Sequence, residues 1–84
     1  MINIRYFASL KDRLQRASEE IELPSQVDDV DSLIAFLRQR EGIWKQVFPT
    51  DGNVLFALNQ EMAKLDSKVK DGDEIGFFPP VTGG

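Results

Sequence analysis

The sequence predicts an α+β roll, a mixed sheet packed on one main helix, with a short glycine tail at its end. Three observations carry this reading. Ile2, Ile4 and Tyr6 alternate with Asn3, Arg5 and Phe7, the period-2 pattern of a half-buried strand. Val30, Leu33, Ile34 and Leu37 recur at helical spacing and make one apolar stripe. Val54–Leu58 is apolar at every position, which predicts a strand covered on both faces. With 84 residues there is room for a single core.

The elements follow in chain order. Met1–Ala8 is the first strand. Ser9 is placed to cap a short helix, with Asp12 in its first turn and Leu10 and Leu14 on one face. Glu20–Leu23 alternates as a second strand, with Ile21 and Leu23 inward and Pro24 ending it, and it can pair with the first as a wide hairpin. Asp29 is the expected N-cap of the main helix, and Gly42 its C′ residue. Arg38, Gln39, Arg40 and Glu41 are expected to face water. Trp44, Val47 and Phe48 suit one more helical turn over the edge of the core. Residues 49–53 form a turn cluster. Asn59-Gln60 turns the apolar strand toward a brief partner at Glu61–Ala63. Residues 66–70 read as a loop or a short helical turn. Asp71-Gly72-Asp73 makes a tight turn into a last strand, Glu74–Phe78. Pro79 and Pro80 stop that strand, since neither can donate to a ladder. The domain is therefore set at 1–80, with 81–84 as a flexible tail. A sheet gripping one helix in this order is the β-grasp arrangement of ubiquitin.

Composition narrows the chemistry. The chain has no cysteine and no histidine. Disulfides, thiolate metal ligands and cysteine redox chemistry are excluded, and the commonest general base and metal ligand is missing. No metal site and no cofactor bound by this chain alone are expected. The net charge is -4, and along the sequence the cations are interleaved with acids, so no phosphate-binding or nucleic-acid surface is expected. No stretch is long and apolar enough for a signal peptide or a membrane span, which makes a soluble cytoplasmic protein the expectation.

One helix covers only one face of a sheet. Leu55 and Ala57, with Phe7 and Phe78 on the neighbouring strands, would then lie on the other face. An apolar patch of this kind marks a partner surface, and Phe7, Leu55 and Phe78 are its candidate residues.

The tail supplies the reactive group. Gly84 carries the α-carboxylate, ionised at neutral pH and a poor electrophile until it is converted to an acyl derivative such as an adenylate. An adenylate made from ATP is one route, and since this chain has no phosphate-binding loop, a second enzyme must supply the activation. Gly83 and Gly84 lack Cβ atoms and suit a narrow tunnel, while Pro79 and Pro80 form a stiff stem.

Residues 77–84, Phe77-Phe78-Pro79-Pro80-Val81-Thr82-Gly83-Gly84, resemble the C-terminal signature of the small, sulfur-carrying subunits of molybdopterin synthase. The segments Asp71–Ile75, Ile4–Ala8 and Ala57–Asn59 are similar to the same family, whereas 24–29 and 43–53 carry no marker of it. The resemblance implies that an enzyme related to ubiquitin-activating enzymes adenylates Gly84 and that a sulfur donor converts it to a thiocarboxylate. The tail, with Val81, Thr82 and Gly83 in the groove, would then enter the active site of the large catalytic subunit. Sulfur would pass to a cyclic pyranopterin phosphate to build the dithiolene of the molybdenum cofactor. The family assembly is a heterotetramer of two large and two small subunits, in which this chain is the sulfur donor and not an enzyme by itself. The alternatives are a carrier for thiamine or tRNA thiolation, a ubiquitin-like protein modifier, and a binding module with a passive tail.

Overall fold

The computed structural model describes residues 1–48 and 54–79. The turn cluster at 49–53 and the segment from Pro80 to Gly84, which includes the expected tail, lie outside the described residues. The elements are β1 (Ile2–Tyr6), α1 (Ser9–Leu14), β2 (Ser18–Ile21), α2 (Val30–Arg38), α3 (Trp44–Val47), β3 (Leu55–Leu58), β4 (Glu61–Met62) and β5 (Glu74–Phe78). They form one mixed sheet in the order β2-β1-β5-β3-β4. β1 pairs antiparallel with β2 and parallel with β5, and β3 pairs antiparallel with both β5 and β4. The parallel pair needs a long crossover, and α2 lies within it. This is the expected β-grasp roll.

The core is assembled from alternate residues of the two central strands. Ile2, Ile4 and Tyr6 of β1 and Ile75 and Phe77 of β5 are buried against Val30, Leu33 and Leu37 of α2. Trp44, Val47 and Phe48 close one end. Phe77 stacks on Tyr6 at 6.2 Å between ring centroids and meets Phe48 edge-on at 4.9 Å. Asp29 caps α2 as expected. Its carboxylate accepts from the Ser32 N–H at 2.8 Å, and the Ser32 hydroxyl oxygen accepts from the Asp29 N–H. This bonding holds the Asp29 carboxyl below the usual range.

Local corrections are instructive. Ser9 is the first residue of α1 and not its cap. Ala8 occupies the cap position at φ 53° with no side-chain bond, so backbone geometry sets this turn. β2 runs two residues earlier than expected, because the strand begins as soon as Ala17 returns to β1 through its carbonyl, 2.8 Å from the Tyr6 N–H. α2 stops at Arg38 with Gln39 as its C-cap, so Gly42, at φ 94°, shapes the turn that follows and is not the C′ residue. Arg40 does not simply face water; it is drawn into a bidentate pair with Glu19. β3 is not covered on both faces: Leu55 is 39% exposed, because nothing among the described residues lies over the second face of the sheet there.

Candidate docking face and tail exit

β1 and β5 run parallel, so both strands finish at the same end of the domain, with Tyr6 beside Phe77. β5 delivers Phe78 and the half-buried Pro79 to that end, from which the chain continues toward Gly84. Strand alternation decides which side chains stand there. Arg5 and Phe7 of the first segment, Gly76 and Phe78 of β5, Leu55 and Ala57 of β3, and Met62 of β4 all lie on the face away from α2.

The structure brings the three expected surface residues together. Phe7 stacks on Phe78 with 4.7 Å between centroids and planes 5° apart. Leu55 is the direct cross-strand partner of Phe78. Gly76 makes the stack possible: a Cβ at this position would come within 2.9 Å of Phe7 Cε2, so the ring occupies the space where a side chain would stand. The Arg5 guanidinium sits 5.6 Å from the Phe7 ring centroid and bridges to Glu74, forming the polar border of the patch. Sequence reasoning missed Gly76, Arg5 and Met62. Met62 is 72% exposed and faces outward because it pairs with Ala57 across the Asn59-Gln60 turn, a signal available once that turn is taken as two residues.

Two polar clusters hold this end and its opposite in place. At the far end, Asn59 adopts φ 51° and its Nδ2 donates to Asp73 Oδ1 at 3.1 Å. The Lys70 N–H donates to Asp73 Oδ2 at 2.9 Å, and the Glu74 N–H donates to Asn59 Oδ1 at 3.0 Å. These bonds fix the register of β3 against β5. At the tail end, the Tyr6 hydroxyl donates to Glu19 at 2.7 Å, and Arg40 donates to both Glu19 oxygens at 2.8 and 3.0 Å. Arg40 also lies 4.5 Å from the Trp44 ring centroid. Burial works to raise the Glu19 carboxyl, but bonds from Arg40 and Tyr6 and the nearby arginine charges outweigh it and hold the group below the usual carboxylate range. The Tyr6 phenol is pushed far up, chiefly by burial and then by its bond to Glu19. Arg40 is raised by the same pairing.

None of these clusters suits covalent catalysis, since each titratable group is engaged in structure. Among the described residues no three acids approach closely enough to hold a metal ion. No helix there is long and apolar enough to cross a membrane. Val81, Thr82, Gly83 and Gly84, together with Pro80 of the stem, lie outside the described residues.

Comparison with known proteins matches this geometry. The chain is 36% identical to the molybdopterin synthase sulfur carrier subunit of Haemophilus influenzae and 32% identical to that of Escherichia coli, over the full length of both proteins in each case. Subunit 1 in the protein–protein complex of subunits 1 and 2 of molybdopterin-converting factor from Helicobacter pylori is a structural neighbour, at a TM-score of 0.64 and 31% identity, covering 99% of this chain and 97% of that one. Small archaeal modifier protein 1 of H. volcanii superposes at a TM-score of 0.73 and 25% identity, covering 95% of this chain and 97% of that one. The chain matches the ThiS family over residues 4–84, and it belongs to that family, among relatives named as molybdopterin synthase sulfur carrier subunits.

Proposed function

We propose that this chain is the sulfur carrier subunit of a molybdopterin synthase and that Gly84 carries the sulfur. The observation that carries the reading is the apolar stack of Phe7, Phe78 and Leu55 beside the end of β5, where the chain leaves for Gly83-Gly84. A docking face next to a reactive terminus suits a protein that presents its tail to other enzymes. The full-length likeness to named carrier subunits supports the same reading.

In this reading a separate adenylating enzyme uses ATP. The Gly84 carboxylate oxygen attacks the α-phosphorus, pyrophosphate leaves, and an acyl-adenylate forms. A sulfur donor then displaces AMP, leaving a thiocarboxylate. The large catalytic subunit accepts the tail, with Val81, Thr82 and Gly83 along its groove and Pro79-Pro80 as the stem. Sulfur passes to the pyranopterin precursor, and hydrolysis returns the carboxylate. This chain contributes the terminus and the docking face, and the partners contribute the catalytic side chains. The domain boundary at 80/81 belongs to this proposal too, because Pro79-Pro80 is where strand pairing becomes impossible.

Intact mass spectrometry after incubation with the activating enzyme, ATP and a sulfur source tests the reading. Exchange of one oxygen for sulfur, localised to Gly84, is the expected result. No mass gain, or adducts joining Gly84 to lysines of other proteins, would sink it. The second of those outcomes would instead favour a protein modifier, the reading to which the likeness to small archaeal modifier protein 1 points.

A further inference from the structure

Charges that look interleaved along the sequence become segregated in the fold. Lys11, Arg13, Arg16, Arg38, Arg40 and Lys45 come from two short stretches, which with Glu19 contain three acids, Asp12, Glu19 and Glu41. The remaining described residues hold four cations against ten acids. The tertiary structure joins the two stretches into one surface. α1 packs beside α3, and α3 beside the end of α2. Arg16 and Arg40 lie 5.5 and 4.5 Å from the Trp44 ring centroid and both pair with Glu19. Leu10 and Leu14 bury the inner side of α1, leaving Lys11 and Arg13 exposed, and Trp44 and Val47 do the same for α3, leaving Lys45 exposed.

This cationic cap lies at a definite end of the molecule. α1 starts at Ser9, two residues after Phe7, and bonds back to it through the Leu10 N–H. Phe48, which follows α3, packs against Phe77 near the end of β5. The cap therefore borders both the apolar docking face and the point where the chain leaves for Gly84. The opposite end is acidic: Asp71 pairs with the N-terminal ammonium, and Asp73 and Glu74 lie at the start of β5. In a chain of net charge -4, the cations of the cap thus gather beside the end of β5.

Resting on the carrier reading above, we propose that the cap docks against an acidic rim around the tail-accepting mouth of the large subunit and turns the carrier tail-first during encounter. The partner is a protein surface and not a nucleic acid. Glu19 already engages Arg16 and Arg40, acids stand among the cations, and the cap continues into an apolar patch that a phosphate backbone would leave uncovered. Long-range charge of this kind acts chiefly on the association rate, whereas the apolar stack sets the lifetime of the complex.

The test is stopped-flow association of the full chain with its own large subunit, comparing wild type with the triple variant Lys11→Glu/Arg13→Glu/Lys45→Glu. All three sites are exposed, so the fold is expected to survive, which a thermal melt checks. The triple variant is expected to associate at least ~10-fold more slowly at about 20 mM salt, with the gap closing near ~500 mM as screening takes over. A control away from the cap, Glu22→Gln, where Glu22 lines a pocket with Met1 and Asp71, is expected to stay within about twofold of wild type. Unchanged association of the triple variant at low salt would overturn the proposal while leaving the carrier reading intact. So would slowing that persists undiminished at high salt. Wild-type chain that fails to bind the large subunit at all would remove the carrier reading, and the proposal with it. Binding of wild-type chain to a fluorescent single-stranded RNA 20-mer at physiological salt, lost in the triple variant, would overturn the proposal in favour of nucleic acid.

Discussion

At the scale of single residues, Glu19 and Gly76 show how unlike the roles of two small features are. Glu19 joins three elements, taking the Tyr6 hydroxyl of β1 and the Arg40 guanidinium beyond α2 onto one carboxylate in β2. Its folded pKa lies below its unfolded value of about 4.3, so the stabilisation is fully present above that pH and is lost as pH falls through the folded value. Glu19→Gln is expected to lower stability at pH 7 by about 1–3 kcal/mol and to flatten the acid limb of the stability curve. Thermal melts of both proteins from neutral to strongly acidic pH check this; parallel curves would contradict it. Gly76 acts through absence. Gly76→Val puts a branched side chain where the Phe7 ring lies, so the ring must lift from Phe78. A loss of about 1–3 kcal/mol is expected, together with weaker docking, read by melting and by calorimetric titration with the large subunit. Neither role was legible in the sequence. Glu19 reads there as one acid among several, and a glycine in a strand is silent until the ring that covers it is known.

At the scale of elements, the short edge of the sheet matters most. β3 offers Phe56 and Leu58 to the core side and Leu55 and Ala57 to the outer side. The all-apolar composition of the strand reads as covered on both faces, but its second face is open, with Leu55 39% exposed, in line with the apolar patch expected there. Leu55→Asp is expected to leave stability within about 0.5 kcal/mol, since the side chain is already partly in water, and to weaken binding to the large subunit more than tenfold. Analytical gel filtration with the partner checks the second part, and a melt checks the first. A well-bound Leu55→Asp variant would remove the outer face of β3 from the interface. α2 was the most legible element, because its stripe and its Asp29 cap are both local. α1 and β2 were less so: a short helix leans on tertiary contacts, and the turn at Ala8 takes a backbone angle that no side chain announces.

At the scale of the whole molecule, the proposed carrier chemistry lies at the last residue of the chain, after the last strand, Glu74–Phe78. Among the described residues the buried cluster runs from Ile2 to Phe77. Deleting Gly84 is expected to leave the melting temperature unchanged and to abolish sulfur transfer in a reconstituted synthase assay. A large drop in melting temperature would show instead that the terminus belongs to the fold. The apolar stack of Phe7 and Phe78, the cationic cap and the end of β5 lie at one end of the sheet.

The sequence by itself determined the β-grasp class, the main helix with its cap, the Asn59-Gln60 turn and the last strand, and it carries the terminal Gly83-Gly84 on which the proposed chemistry rests. Each of these is written in a short stretch of chain, as a period, a cap, a turn dipeptide or a terminal signature. Only the tertiary structure decided that Phe7 lies flat over Gly76, that Glu19 gathers Tyr6 and Arg40, and that scattered cations form a cap at the tail end. Those features join residues far apart in the chain: the pairing of β1 with β2 and β5 and the packing of α1 against α3 bring them together.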